Sequence, residues 1–456
     1  MEYNHRLLLK GNEAAVYGAL FAGCDCYFGY PITPASEIAQ AAALLFPKLH
    51  RTFIQAESEL AAINMVIGAS AAGKRTMTAS SGLGISLKQE GVSYLAAYEL
   101  PCLIFDITRG GPGLGNIGPE QADYFQVVKG GGHGSYHCLV FTPNSVQEMC
   151  DMAREAFLMA EKYRMPAYVM TDGVIGQMME SVELPEPIKY DYDPEWKMGR
   201  VVNGEANIIT SIYMEHDDLE ALNLKLIDKY RKIEAAEQSY EEFQTDDAEI
   251  VIVAYGISSR VALGAIDLLR KRGVKAGLVR PKMVWPFPKN VLEKLSREDR
   301  VKAFVSLELS AGQMIEDVEL ATRCRKPVRL CHRMGGNIPS CSEVCDEVTK
   351  LWNEVSKGVK KSNSAVRKSS SIRSTAAPAR SRPTCTTAPA AATAFCTSSS
   401  PKPWSTTASS RTPISSCRSG ARSSRTTTST SARSRCRTAA RPRSAPARVG
   451  RIPSPT

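Results

Sequence analysis

The 456-residue sequence predicts an α/β protein of two domains, each a mostly parallel sheet flanked by helices, followed by a disordered basic tail. Three observations predict it. Short apolar runs alternate with helix-like segments up to about residue 180, the pattern of a parallel sheet with crossover helices. The stretch Leu100 to Thr108 (LPCLIFDIT) is apolar nearly throughout, as strands covered on both faces are. After a polar interval the alternation restarts near Asp247 and stops near Ser356, where Ser, Thr, Ala, Arg and Pro take over.

Taken in order, Leu7 to Leu9 predicts a strand, and Gly11-Asn12-Glu13 opens a small-residue helix with Asn12 as a candidate N-cap. Tyr27 to Tyr30 is a strand that ends in a Gly-Tyr-Pro turn. Pro31 and Pro34 stiffen the loop around Thr33, because each proline fixes its own φ and biases the residue before it toward extended backbone. A helix begins near Ser36, with Glu37 in its first turn, and Thr52 to Gln55 is a further strand. Glu59 stands where a helix rich in Ala and Gly begins. Arg75 to Ala79, Leu139 to Phe141 and Ala167 to Thr171 complete the first set of strands, and Thr142-Pro143-Asn144-Ser145 caps the helix after the second of these. Between 217 and 243, Leu219, Leu222, Leu226, Tyr230 and Ile233 recur at helical spacing and predict one long linking helix. In the last domain the strands are Glu249 to Tyr255, Val274 to Arg280, Ala303 to Leu309 and Val328 to Cys331. Gly256, Ser258 and Ser259 read as a turn into a helix from Val261, and a final helix follows Cys341. The resulting division is 1–190, a linker over 191–246, 247–355, and a tail over 356–456.

The overall balance of 57 basic and 47 acidic residues misleads. Twenty of the basic residues and none of the acidic ones follow Ser356, so the body is net acidic and the tail carries a charge of +20. A nucleic-acid-binding arm is the reading such a run invites. Its only aromatic residues are Phe395 and Trp404, too few for stacking platforms, so no nucleic-acid partner is expected. No apolar run reaches membrane-spanning length and the N-terminus lacks a long apolar segment, so a cytoplasmic protein with no membrane partner is expected. The nine cysteines before the tail include no Cys-x-x-Cys, and no metal site or iron–sulfur cluster is expected in this chain.

Several stretches carry a resemblance: GYPITP, QAESE before a small-residue helix, SSGLGISLKQEG, ITRGGPGLGN, GPEQADYFQVVKGGGHG and TDGVIGQMME. In this order, over roughly residues 6 to 350, the sequence resembles the α subunit of 2-oxoacid:ferredoxin oxidoreductases, most of all the branched-chain (3-methyl-2-oxobutanoate) type. The Tyr255-Gly256 turn and the later VRP and VWPFP segments resemble the C-terminal domain of transketolase-like enzymes. The resemblance implies a pyrimidine-binding domain and a transketolase C-terminal-like domain. It implies oxidative decarboxylation of a 2-oxoacid with thiamine diphosphate, with the acyl group leaving on coenzyme A and the electrons on ferredoxin. It assigns Glu59 to the aminopyrimidine ring as the catalytic carboxylate, with Glu57 as its competitor. Ser81 and Gly82 join Glu59 as cofactor-binding residues, and Arg109 and Thr33 bind the substrate carboxylate. An arginine at a strand's C-terminal end, at the sheet rim, suits a planar carboxylate.

Thiamine enzymes hold diphosphate and Mg²⁺ through a Gly-Asp-Gly motif, which this chain lacks; Asp172-Gly173 follows Thr171 instead. The resemblance therefore implies a β subunit supplying the diphosphate and Mg²⁺ seat and a 4Fe-4S cluster, a γ subunit and an optional ferredoxin-like δ subunit. The spacing Gly113-x-Gly115-x-x-Gly118 matches a dinucleotide fingerprint, but Pro119-Glu120-Gln121 follows in place of a helix, so it reads as a loop near the cofactor. His133, after three glycines, reads as a loop histidine. Alternatives are a 2-oxoglutarate or pyruvate enzyme of the same family and an NAD-linked 2-oxoacid dehydrogenase E1-type subunit. The tail has a reading of its own. Moved back by one nucleotide, Thr386 to Ala394 permits His-Tyr-Cys-Pro-Gly-Cys-Gly-His-Gly, which resembles the start of the family's β subunit. A frameshift joining the two is the expectation.

Overall fold

The computed structural model describes residues 6–188 and 194–369. The tail beyond them, with its expected disorder and frameshift origin, lies outside the described residues. The chain opens with β1 (Arg6–Lys10) and α1 (Gly11–Phe21), then alternates through β2 (Cys26–Gly29), α2 (Ser36–Leu45), β3 (Thr52–Gln55), α3 (Glu59–Ala71), β4 (Thr76–Ser80), α4 (Leu83–Ala97) and β5 (Cys102–Thr108). After a glycine-rich loop come α5 (Tyr124–Val128), β6 (Leu139–Phe141), α6 (Val146–Tyr163), β7 (Pro166–Asp172), α7 (Gly173–Gln177) and β8 (Met179–Glu183). A small hairpin, β9 (Val201–Val202) and β10 (Glu205–Ala206), precedes α8 (His216–Ala236). The remainder is β11 (Tyr240–Phe243), β12 (Ile250–Val253), α9 (Gly256–Lys271), β13 (Ala276–Pro281), β14 (Met283–Trp285), α10 (Lys289–Arg297), β15 (Ala303–Glu308), α11 (Met314–Thr322), β16 (Val328–His332) and α12 (Cys341–Ser369).

Two sheets organise these elements. The first has seven strands in the order β3-β2-β4-β5-β7-β6-β14, parallel except for β14. The second has five, β11-β13-β12-β15-β16, parallel except for β11. The central strands β4, β5 and β7 are buried at every residue; β5 and β7 accordingly run apolar through most of their length, whereas β4 (Thr-Met-Thr-Ala-Ser) alternates and buries its polar residues as well. β1 and β8 form a separate antiparallel ribbon. Two helix starts follow their local chemistry. Ser58 Oγ accepts from the Ala61 amide at 3.1 Å and starts α3, while Ser145 Oγ accepts from Glu148 at 3.2 Å and starts α6.

Five expectations need correction. Asn12 does not cap α1; Lys10 occupies the cap, and Asn12 is buried in the first turn with its Nδ2 donating to Pro34 O at 2.8 Å. The linking helix ends at Ala236, and Tyr240–Phe243 instead forms an antiparallel edge strand on β13. The second sheet thus begins before Asp247. Gly256, Ser258 and Ser259 belong to the first turn of α9, not to a turn preceding it. Finally, Met283–Trp285 leaves the second sheet and adds an edge strand to the first, pairing with β6.

Gln121 fastens the rims of the two sheets together. Its backbone N donates to Leu309 O (2.7 Å), its Nε2 donates to Tyr255 O (3.0 Å), and its Oε1 accepts from the Leu309 amide (2.9 Å) and Ser258 Oγ (3.1 Å). Asp172 joins the same seam by accepting from the Ile257 amide at 3.1 Å. A buried amide side chain bonded through both its oxygen and its nitrogen in this way favours one relative placement of the elements it joins.

Candidate active site

The C-terminal ends of β2, β4 and β5 lie side by side on one edge of the seven-stranded sheet, where open α/β sheets bind ligands. Each strand end delivers one part of the candidate site. The turn after β2 carries Thr33, the turn after β4 carries Ser81 and Gly82, and β5 runs into Arg109. The fourth part, Glu59, comes from the first turn of α3, where the helix dipole favours a carboxylate.

Glu59 is only 6% exposed, whereas Glu57 is exposed, so the two carboxylates separate by environment. The Glu59 carboxylate lies against the start of α4. A Cβ built on Gly84 would run into the Ser80 hydroxyl and stand 2.7 Å from Glu59 Oε1, so only glycine fits there. The Ser80 and Ser81 hydroxyls are buried at the end of β4 and have no hydrogen-bond partner. Lys88, one turn further along α4, is completely buried and donates from Nζ to Glu59 O at 3.4 Å. Burial pushes its ammonium down to about 8, with the nearby Glu59 acting in the opposite direction.

Arg109 reaches across the rim. Its Nη1 donates to Thr33 O at 2.9 Å, and its side chain lies over Gly82, where a Cβ would come within 3.3 Å of Nε. Gly82 has φ +50°, a conformation that L side chains rarely adopt. Thr33 is exposed and meets Arg109 through its carbonyl oxygen rather than its hydroxyl. Pro34 O, one residue on, is held by Asn12. Glu59, Ser81, Gly82, Arg109 and Thr33 are thus all at one rim. Two contacting chains are evident there, Glu59 with Gly84 and Ser80, and Gly82 with Arg109 and Thr33.

The structure gives other singled-out residues structural work. Asp172 Oδ1 accepts from the Val174 and Ile175 amides, and its Oδ2 from Ile257, so the carboxylate is spent on backbone. The loop from Gly110 to Gly118 folds on itself. Asn116 N donates to Gly110 O, and a Cβ on Gly115 would strike that same carbonyl. The loop then docks on residues 334–337: Asn116 Nδ2 donates to Gly335 O (3.1 Å), and Glu120 Oε2 accepts from both the Gly111 and Gly335 amides (3.2 Å each). His133 is exposed and only its carbonyl is engaged, by Ser93 Oγ. Two site residues escaped the sequence reading, Ser80 and Gly84. The signal was present, since the SSGLG turn places both within three residues of Gly82.

A thiamine ring system can be tested against this arrangement. A thiamine ring system needs a carboxylate for a ring nitrogen and polar groups without other partners; buried Glu59 and the orphaned Ser80 and Ser81 hydroxyls supply both, so the residues present fit the pyrimidine half of the group. Among the described residues there is no cluster of three His, Cys, Asp or Glu suited to a metal ion. Nor is any helix among them long and apolar enough to cross a membrane.

Residues 17–242 match the family described as pyruvate flavodoxin/ferredoxin oxidoreductase, thiamine diP-bdg, and residues 248–344 match pyruvate:ferredoxin oxidoreductase core domain II. The chain is 53% identical over 350 residues to ketoisovalerate oxidoreductase subunit VorB of Methanothermobacter thermautotrophicus, a match covering 76% of this chain and 99% of that one. It is 38% identical over 324 residues to 2-oxoglutarate synthase subunit KorA of Archaeoglobus fulgidus, covering 70% and 92% respectively. Among solved structures, the 2-oxoglutarate:ferredoxin oxidoreductase from Magnetococcus marinus with 2-oxoglutarate, coenzyme A and succinyl-CoA bound superposes with a TM-score of 0.67 at 25% identity. That match covers 77% of this chain and 66% of that chain. The rim, the two sheets and these relatives lead to one conclusion: the chain belongs to the 2-oxoacid:ferredoxin oxidoreductase family, as a subunit of a thiamine-diphosphate-dependent oxidoreductase.

Proposed function

We propose that the substrate is 3-methyl-2-oxobutanoate, oxidatively decarboxylated with coenzyme A to the acyl-CoA, CO₂ and reduced ferredoxin. One observation carries this choice: 53% identity across 99% of a ketoisovalerate subunit, against 38% across 92% of a 2-oxoglutarate subunit. Thiamine diphosphate, when bound, supplies the electron sink for decarboxylation. The protein's own residues do the rest. Glu59, desolvated against Gly84, holds a proton at the aminopyrimidine ring nitrogen. Ser81 and Gly82 shape the floor of the cofactor seat. Arg109, braced by Thr33 O, receives the substrate carboxylate through its planar fork, and Thr33 stands at the same mouth.

This reading assigns residues 1–190 to the pyrimidine-binding unit, 191–246 to a linker, 247–355 to the transketolase-like unit, and 356–456 to an out-of-frame tail. Diphosphate, Mg²⁺ and a 4Fe-4S cluster fall to the β subunit, a γ subunit and an optional ferredoxin-like δ subunit complete the assembly, and the complex works in the cytoplasm with ferredoxin as acceptor. The absence of a Gly-Asp-Gly run in the sequence supports that division of labour. The test is a substrate screen on the reconstituted complex, with viologen, ferredoxin and NAD as acceptors. Branched-chain 2-oxoacids are expected to give the highest kcat/KM with ferredoxin or viologen and none with NAD. A higher kcat/KM for 2-oxoglutarate or pyruvate would overturn the substrate, and NAD reduction would overturn the reaction.

A further inference from the structure

Behind the rim lies a buried carboxylate that the preceding mechanism does not use. Asp106 sits in β5, two residues before Thr108, on a strand buried at every position. It has no exposed surface, and neither carboxylate oxygen has a hydrogen-bond partner. Its register neighbour on β4 is Ser80, whose hydroxyl is unpartnered as well. Asp123, just before α5, lies close enough for the two charges to interact. Its Oδ1 accepts from Gln126 Nε2 at 2.6 Å, while its Oδ2 is buried without a partner.

We propose that Asp106 and Asp123 form a buried carboxyl pair that holds a single proton, and that the charge left on Asp123 sets the anion affinity of Arg109. Two ionised carboxylates cannot share a pocket with this little solvent, and an unpaired buried ion is costly. The groups around the pair decide where the proton sits. Arg109 and Glu120 act on Asp123, and the phenols of Tyr168 on β7 and Tyr255 before α9 lie near Asp106. Lys88 on α4 is directed to Glu59 and Cys102. Burial, and then the like charge of Asp123, push Asp106 well above the carboxylate range. Burial raises Asp123 to about 6, with Gln126, the Gly82 amide and Arg109 opposing it. At neutral pH the proton therefore resides on Asp106, and Asp123 is the anion beside Arg109. Both are positioning residues, acting on substrate through the clamp.

The proposal rests on Arg109 as the carboxylate clamp, so its test has two separable arms. In the assembled complex, with only this chain carrying isotope-labelled aspartate, an infrared carboxylic-acid band is expected at pH 7. It should vanish in Asp106→Asn and persist in Asp123→Asn. Absence of the band, or its survival in Asp106→Asn, would overturn the pair. If Asp106→Asn fails to assemble, the wild-type band must still grow as pH falls through about 6, and a constant band overturns the idea equally. In the second arm, the KM for the 2-oxoacid is expected to fall about threefold in wild type from pH 7 to 5, and to be low and flat in Asp123→Asn, with kcat unchanged. Identical KM profiles in the two proteins would remove Asp123 from the clamp. An Arg109→Gln complex with unaltered KM would instead defeat the clamp itself, and the infrared result would stand.

Discussion

The two sheets end in rims of opposite temperament. In the five-stranded sheet, β15 finishes at Glu308, a carboxylate with 1% exposure whose oxygens accept from the Ser306 and Ser310 hydroxyls and the Gln313, Met314 and Ile315 amides. Nothing about that carboxylate is left over for a ligand. In the seven-stranded sheet, the corresponding strand ends leave Ser80, Ser81, Asp106 and one oxygen of Asp123 buried and unpartnered. Buried polar groups are normally satisfied, so a concentration of orphans marks where a protein has kept bonding capacity in reserve. The same α/β construction thus yields one rim that consumes its polar groups for structure and one that holds them back for chemistry.

The contrast can be broken most severely by exchanging the amide for the acid at each rim. Glu59→Gln is expected to lower kcat of the reconstituted complex by about 10²–10⁴-fold with little change in the unfolding midpoint. Glu308→Gln should do the reverse, costing about 2–4 kcal/mol of stability through lost charge-assisted bonds at the start of α11. Steady-state turnover and denaturant unfolding on both variants check the pair, and equal loss of stability in the two would dissolve the distinction. Next in size, Arg109→Lys keeps the charge but loses the fork, and KM should rise about 10–100-fold with kcat nearly preserved, read from initial rates.

A pH titration sharpens the comparison further. Asp123 has its folded-state pKa raised to about 6, above its unfolded value, so the protonated form is favoured by folding. Its stabilisation is fully present below the unfolded pKa and is lost as pH rises through about 6. Wild type should therefore lose about 1–3 kcal/mol over that window relative to Asp123→Asn, in unfolding curves taken from pH 4 to 7. The smallest contrast concerns two glycines. Gly68→Ala, on α3 with open space around it, should stabilise by about 0.5–1 kcal/mol. Gly84→Ala should instead displace Glu59 and weaken thiamine diphosphate binding about tenfold, measurable by the concentration needed to restore turnover.

Much of this was legible in the sequence, for identifiable reasons. Strands such as Cys102–Thr108 and Ile250–Val253 were readable because burial on both faces favours a nearly continuous apolar run. Tyr240–Phe243 was not, since an exposed edge strand reading Tyr-Glu-Glu-Phe carries no such demand and follows directly on helical spacing. The short helices Lys289–Arg297 and Met314–Thr322 escaped for want of enough turns to display a period. Among candidate site residues, Glu59, Thr33 and Arg109 stood out by motif, and the structure places them at one rim. Asp106 did not stand out, although a lone carboxylate inside a doubly covered strand is itself a signal. Its partner, Asp123, is 17 residues further on, across a loop whose path no local pattern discloses.

One element has a consequence for how the molecule can be taken apart. Met283–Trp285 belongs by sequence to the C-terminal half, yet it borders Leu139–Phe141 in the N-terminal sheet. Separate expression of the two halves would leave that hydrophobic border raw and ready to recruit a foreign strand. Any split, circular permutation or chimera of this subunit must carry the short Met283–Trp285 ribbon along with the first half, or supply a substitute for it.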